Sequence, residues 1–218
     1  MISLRSMLTI STLLVALLQS GCVTGAHIAN KIERTKIGKQ VESSIAAFRK
    51  HIKAMQAKGD PMGDYYYALG NSDGWIEDVK DPQAITALFE KAAASGAMDA
   101  KILLALQEAT SEPKPGRLDY SKGPRGNLVT WESGLAKLLP LLQQQCYVRR
   151  LTTGYDYPNP RPQVTYYSIA YAIWPKFRDG YYRKNTDGTR TLLKDSARQK
   201  IWEDIDRNCK FPPAELLD

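Results

Sequence analysis

Three cysteines, two histidines and one glycine-flanked serine are the residues with the most evident chemical reach. Cys22, Cys146 and Cys209 could hold a metal, act as nucleophiles or carry covalent modifications. His27 and His51 are the only imidazoles. No cysteine pair has zinc-finger spacing, so the chain offers no pattern for a His-rich or Cys-rich metal centre. Gly70-Asn71-Ser72-Asp73-Gly74 fits G-x-S-x-G, the turn that lifts a serine nucleophile above a sheet. That turn needs a strand before the serine, a helix after it and a histidine later in the chain. Here a helical pattern precedes it and both histidines come earlier, so Ser72 reads as a loop residue between helices. His51 lies beside an apolar helical stripe and reads as structural or exposed. Glu132, Asp195, Glu203, Asp204 and Asp206 form no distinctive carboxylate pair, and no phosphate-cradling glycine pattern occurs. The expectation is a chain with no catalytic residue, no metal and no cofactor.

The cysteine with the most informative neighbourhood is the first. Residues 1–22 read MISLRSMLTISTLLVALLQSGC. One positive charge, Arg5, precedes an apolar stretch from Met7 to Leu18, the layout of a secretory signal. Twelve residues make about 18 Å of helix, short of the ~30 Å apolar thickness of a bilayer. Leu18-Gln19-Ser20-Gly21-Cys22 resembles the lipobox of bacterial lipoproteins, with Gln19 where that family prefers leucine. The resemblance implies cleavage before Cys22 and lipidation of Cys22. More than one acyl chain gives stable attachment where one is marginal. Val23, in place of the aspartate linked in the family to inner-membrane retention, points to the outer membrane, facing the periplasm. Cleavage without lipidation and an uncleaved anchor are the alternatives.

Removing residues 1–21 leaves 197 of the 218 residues, with a net charge of +6 instead of +7. Cys22 being used by lipid, Cys146 and Cys209 remain as an even pair in an oxidising compartment. That favours a disulfide, with two buried thiols as the alternative.

The following segment has a helical period. Ile28, Ile32, Ile37, Val41, Ile45, Phe48, Ile52 and Met55 form one stripe, ended by Gly59-Asp60-Pro61. Residues 22–38 read as a tether. A second helix opens at Pro61 and carries Tyr65, Tyr66 and Tyr67. Gly70 to Gly74 reads as a loop. Asp81 and Pro82 are the cap and first turn of a third helix, which ends near Gly96. A fourth begins at Asp99. A shift of 37 residues places Ala47 on Ala84, Phe48 on Ile85, Ile52 on Phe89, Gly59 on Gly96, Tyr66 on Leu103, Ala68 on Ala105 and Leu69 on Leu106. A helix–turn–helix period of this length is the signature of an α-solenoid unit. Residues Asp81 to Glu108 resemble the Sel1-like branch of tetratricopeptide-type repeats, through Asp81, Phe89, Lys91-Ala92-Ala93, Gly96, Asp99-Ala100 and Leu104. Ala105 stands where that family usually has glycine. The resemblance covers residues 47–108 and implies a protein that binds another protein or peptide.

Beyond residue 111 the texture changes. Residues 112–127, rich in proline and glycine, read as a loop. Trp131 to Cys146 returns to helix, kinked or restarted near Pro140. Residues 147–151 and 163–173 read as strands, separated by an extended stretch with Pro158, Pro160 and Pro162. Asp179-Gly180 and Asp187-Gly188 mark a β-hairpin over 181–193. Asp195 or Ser196 caps a last helix through Cys209, with Ile201, Trp202, Ile205 and Cys209 on one stripe. The fold class is therefore mainly α. A helical repeat unit over 39–111 precedes a smaller α+β segment over 128–218, closed by Cys146–Cys209.

Charge is concentrated in two places: residues 31–58 carry +6 and residues 147–190 carry +5, around a segment of −4. After export, nucleic acid is excluded as a partner. The second basic region, interleaved with tyrosines, suits an acidic protein, an anionic glycan or a lipid headgroup surface. The sequence thus points to a lipid-anchored envelope protein that binds a protein partner, with Tyr65, Tyr66, Arg149, Arg150, Arg183 and Lys184 as candidate contacts. An immunity protein against a secreted lipase-type toxin, and an envelope enzyme acting on peptidoglycan or lipid, are the competing expectations.

Overall fold

The structure is a computed structural model that describes residues 38–111, 115, 128–153 and 161–217. The leader, Cys22, the tether through residue 37, most of the 112–127 loop and residues 154–160 lie outside the described residues. The chain divides between Ser43 and Ser44. Of the first unit only residues 38–43 are described, and they are helical. All that follows concerns the second unit, from Ser44.

That unit begins in helix α1, which runs to residue 57, and continues in α2 (Pro61–Asp73), α3 (Pro82–Ala94) and α4 (Met98–Thr110). Local chemistry sets these boundaries. Asp60 caps α2 by accepting from the Met62 N–H, and Asp81 caps α3 by accepting from the Ala84 N–H. Each cap contributes about 1 kcal/mol relative to alanine. Gly59 and Gly96 adopt φ of 70° and 109°, and both turns carry the same two backbone bonds. Gly59 N–H donates to Gln56 and Asp60 N–H to Met55; Gly96 N–H donates to Ala93 and Ala97 N–H to Ala92. This is the Schellman ending, in which a left-handed glycine lets the chain reverse while closing orphan carbonyls. The two turns are 37 residues apart.

Helix α2 ends later than expected. Gly70, Asn71, Ser72 and Asp73 are helical, so the expected loop is corrected to the last turn of α2. Asn71 makes this possible: its Nδ2 donates to Tyr67 O and its Oδ1 accepts from Val79 N–H, while Gly70 O accepts from Ile76 N–H. The helix ends at Gly74, with φ of 82°.

Consecutive helices pack on one another from α2 to α5 (Leu128–Gln144). Helix α4 is central, with Ile102, Leu103, Ala105, Leu106 and Ala109 buried around more than one face. Its approach to α5 is close: a Cβ at Gly134 would lie 2.3 Å from Ala109 N. Helix α5 runs through Pro140 without restarting.

The remainder is α+β. Strands β1 (Tyr147–Thr153) and β2 (Pro162–Ser168) pair antiparallel, with Arg149 opposite Tyr166 and Leu151 opposite Val164. Helix α6 (Ala170–Asp179) follows, then the hairpin β3 (Tyr181–Lys184) and β4 (Arg190–Leu193), helix α7 (Ser196–Asn208) and the two-residue strand β5 (Glu215–Leu216). The larger sheet has the order β1-β2-β5, and the hairpin stands as a separate two-stranded sheet. Two expectations are corrected here. The strand expected over 163–173 stops at Ser168, and residues from Ala170 are helix. Ile173 and Phe177 are buried on α6, and α6 packs on α7. Ile201 is exposed, while Trp202 carries the buried face of α7.

The core is continuous from Phe48 and Ile52 through Tyr65, Phe89 and Leu103 to Trp131, Leu138, Val164 and Phe177. Cys146 and Cys209 form a disulfide with their Cα atoms 5.6 Å apart. It joins the residue before β1 to the C-cap of α7. Among the described residues no helix is long and apolar enough to cross a membrane.

Candidate interaction surface

Residues expected to face a partner instead hold the two halves of the unit together. Tyr65 and Tyr66 are buried, because α2 is covered by both α3 and β1. The Tyr65 ring packs against Tyr66 and Phe89, and its hydroxyl donates to Arg149 O at 2.5 Å. Burial, reinforced by the Asp99 charge, pushes the Tyr65 phenol far above its ordinary value. Burial does the same to Tyr66, whose ring meets His51. Both stay neutral packing residues, and the expected contact role on this face is corrected accordingly.

Arg149 and Arg150 are adjacent on β1 and point to opposite sides of the strand. Each meets an aspartate of the helical part. The Arg149 guanidinium donates to Asp99 Oδ2 at 2.7 Å and its backbone N–H donates to Asp99 Oδ1 at 2.7 Å. Gln145 Nε2 donates to Asp99 Oδ2 and to Tyr147 O, both at 2.9 Å. Arg150 Nη2 reaches both oxygens of Asp73 at 2.8 Å. A basic pair that reads as a surface patch in sequence is therefore an internal clamp. Sequence does not mark the clamp: Asp99 stands in the first turn of a helix that also carries Lys101 and Glu108, and an acid in a first helical turn is favoured there by the helix dipole alone.

The other candidates divide differently. Arg183 and Lys184 lie on β3, in register with Thr191 and Arg190; their side chains are outside the description. The Ser72 hydroxyl is buried and donates to the Pro115 carbonyl. Burial lowers the proton affinity of His51. Among the described residues no three His, Cys, Asp or Glu side chains gather as a metal set.

Among the described residues, the exposed large apolar side chains lie in the C-terminal half. Tyr167, Tyr171, Phe211 and Leu216 are exposed there, and Tyr182 and Leu192 form an exposed cross-strand pair on the hairpin. A shallow cleft of about 210 Å³ runs between α5 and α7. It is lined by Glu132, Leu135, Leu139, Arg198, Ile201 and Trp202, and the Glu132–Arg198 ion pair closes at 2.6 Å. Trp174 on α6 donates to Asp206 on α7 and stacks under Arg178. Tyr167, Tyr171 and Tyr182 belong to the basic, tyrosine-rich region of the sequence, which does not tell them from its other tyrosines, since a tyrosine on a strand reads the same whether it faces core or water. Nothing in sequence points to Leu192, Phe211 or Leu216.

No protein-family model matches this chain, and no curated protein or solved structure matches it.

Proposed function

We propose that this chain is a lipid-anchored cell-envelope protein, held at Cys22 in the outer membrane and facing the periplasm, that binds another protein and catalyses no reaction. The observation that carries it is the recurrence of one turn at a 37-residue interval. The glycines at 59 and 96 have the same left-handed conformation and the same pair of backbone bonds. Equivalent positions on either side of them, Phe48 and Ile85, Ile52 and Phe89, Leu69 and Leu106, are buried alike. That is what two Sel1-like helical hairpins require, since each repeat buries its face only against its neighbour. The Cys146–Cys209 bond suits an oxidising compartment. Ser72 is bonded to a backbone carbonyl and Asp99 accepts from Arg149 and Gln145, which supports a structural reading of both.

The test has two arms. Palmitate labelling of the full chain should be lost in Cys22→Ala, and the protein should then leave the membrane fraction. In situ crosslinking of the full-length protein in envelopes should yield one discrete adduct. Absence of any adduct over a range of linker lengths, with the protein monomeric at high concentration, overturns the binding role.

A further inference from the structure

The hairpin combines three features that occur together nowhere else among the described residues. First, it is a sheet of two strands only, so no described strand covers the outer edge of β4. Asn185 N–H donates to Thr189 O. Counting outward from that pair, antiparallel alternation turns the Arg183–Thr191 backbone groups inward and those of Arg190 and Leu192 outward. An outward row of N–H and C=O groups is a template for an added strand. Second, Tyr182 and Leu192 face each other across the hairpin at 66% and 43% exposure. Cross-strand aromatic–aliphatic pairs usually contribute packing to a core, and this one lies in water. Gly180 is fitted to it: its φ is 86°, and a Cβ there would lie 2.7 Å from Leu192 Cδ1. Third, residues 180–194 carry Arg183, Lys184, Arg190 and Lys194 against one acid. That acid, Asp187, is engaged within the turn by the N–H and hydroxyl of Thr189.

We propose that the outer edge of β4 is a docking strand for an acidic, extended segment of a partner protein. Such a segment pairs with the Arg190 and Leu192 backbone, rests an apolar side chain on the Tyr182–Leu192 pair and places carboxylates among the basic positions. Charge decides against a second copy of this chain, since two such hairpins repel. The turn decides against a membrane surface. Residues 185–189 at the tip are polar and include Asp187, whereas insertion into lipid requires apolar residues there. This inference rests on the protein-binding reading above and assigns its surface and its partner's chemistry.

The test uses the full-length protein with its disulfide intact. The probes are a fluorescent heptapeptide of alternating Glu and Val, its Lys/Val counterpart, and phosphatidylglycerol vesicles. The Glu/Val peptide should bind at least tenfold more tightly than the Lys/Val peptide. Hydrogen exchange should show protection at the Arg190 and Leu192 amides. Lys184→Glu with Arg190→Glu should abolish the preference without altering the unfolding midpoint. Because those changes could disturb the hairpin, the exchange map of the unaltered protein serves as an independent readout. Equal binding of both peptides, protection elsewhere, or binding to vesicles and not to peptide each overturns the proposal. Envelope crosslinking with the double variant separates the two levels. An adduct retained by the variant removes the hairpin and keeps the protein-binding reading; no adduct with either protein removes both.

Discussion

Asp99 holds Arg149 at two levels, one carboxylate oxygen on the backbone N–H and the other on the guanidinium, each at 2.7 Å. The Tyr65 hydroxyl takes the carbonyl of the same residue. Arg149 is therefore a strand residue whose outward backbone groups are both met by side chains of the helical part. At Arg149 the free edge of β1 is thus met by discrete partners instead of another strand, which opposes edge-to-edge association at that position. The contrast with β4, whose outward groups meet no described strand, is a difference between two edges of one protein.

Asp99→Ala is expected to destabilise the protein by about 3–5 kcal/mol, because it strands a partly buried cation and a strand N–H together. The side chains are 0% exposed for Asp99 and 28% for Arg149, so water compensates only in part. Asp99→Asn keeps an acceptor for the N–H and should cost less. Urea unfolding followed by far-UV circular dichroism checks both; a loss under 1 kcal/mol for the alanine variant shows the clamp to be superficial.

Gly134→Ala addresses the α4–α5 contact. The added methyl would sit 2.3 Å from Ala109 N and 2.6 Å from Ala109 Cβ. Both are on another helix, so relief requires moving a helix and not rotating a side chain. A loss of at least ~2 kcal/mol is expected, at the upper end for overpacking. The same substitution at an exposed helical glycine would stabilise instead, so the sign of the change in unfolding midpoint is the readout.

The sequence–structure agreement follows how local the deciding interaction is. Caps and turns are local: Asp81, Pro82, Gly96, Asp187-Gly188 and Asp195 mark boundaries that the chain adopts. The Cys146–Cys209 pairing is the one expected once the lipobox resemblance sets Cys22 aside, and the two cysteines are bonded. The end of α2 was not legible, because Gly70 and Asn71 look like loop residues until Asn71 is seen bridging Tyr67 and Val79. Helix α6 reads as strand in sequence because Ala170 to Ile173 continues an aromatic, β-branched run, and only burial of Ile173 and Phe177 and packing on α7 select helix. The fate of Tyr65, Tyr66, Arg149 and Arg150 was least legible. Helical spacing says that three consecutive tyrosines cannot share one face, but α2 is covered on two faces. A basic pair on a strand carries no mark of the aspartates 50 and 77 residues away that receive it.

Breaking the disulfide should matter more for stability than for local geometry. Its cysteines are 63 residues apart, and loop-closure entropy at that separation corresponds to roughly 4 kcal/mol. The linked segment contains β1, β2, α6, the β3–β4 hairpin and α7. Reductant, or Cys146→Ser with Cys209→Ser, should lower the urea midpoint by the corresponding amount while leaving α2–α4 helical signal largely in place. Two equivalents of alkylating agent taken up without reductant would show that the cysteines are not paired.

Acid sensitivity has a sign that His51 fixes. Burial beside Tyr66 pushes its imidazole below the ordinary 6.5, against the opposing pull of Glu215 and Asp60. The unfolded chain therefore takes up the proton at higher pH than the folded chain, and stability rises with pH through that window. The contribution is fully present above the unfolded value near 6.5 and is lost as pH falls toward the depressed folded value. Urea midpoints measured between pH 7.5 and 5.5 should fall more steeply for the unaltered protein than for His51→Gln; His27 is common to both and cancels in the comparison. Parallel slopes would mean that the imidazole is as free to charge in the folded chain as in the unfolded one, and a steeper slope for the glutamine variant would mean that Glu215 and Asp60 outweigh burial.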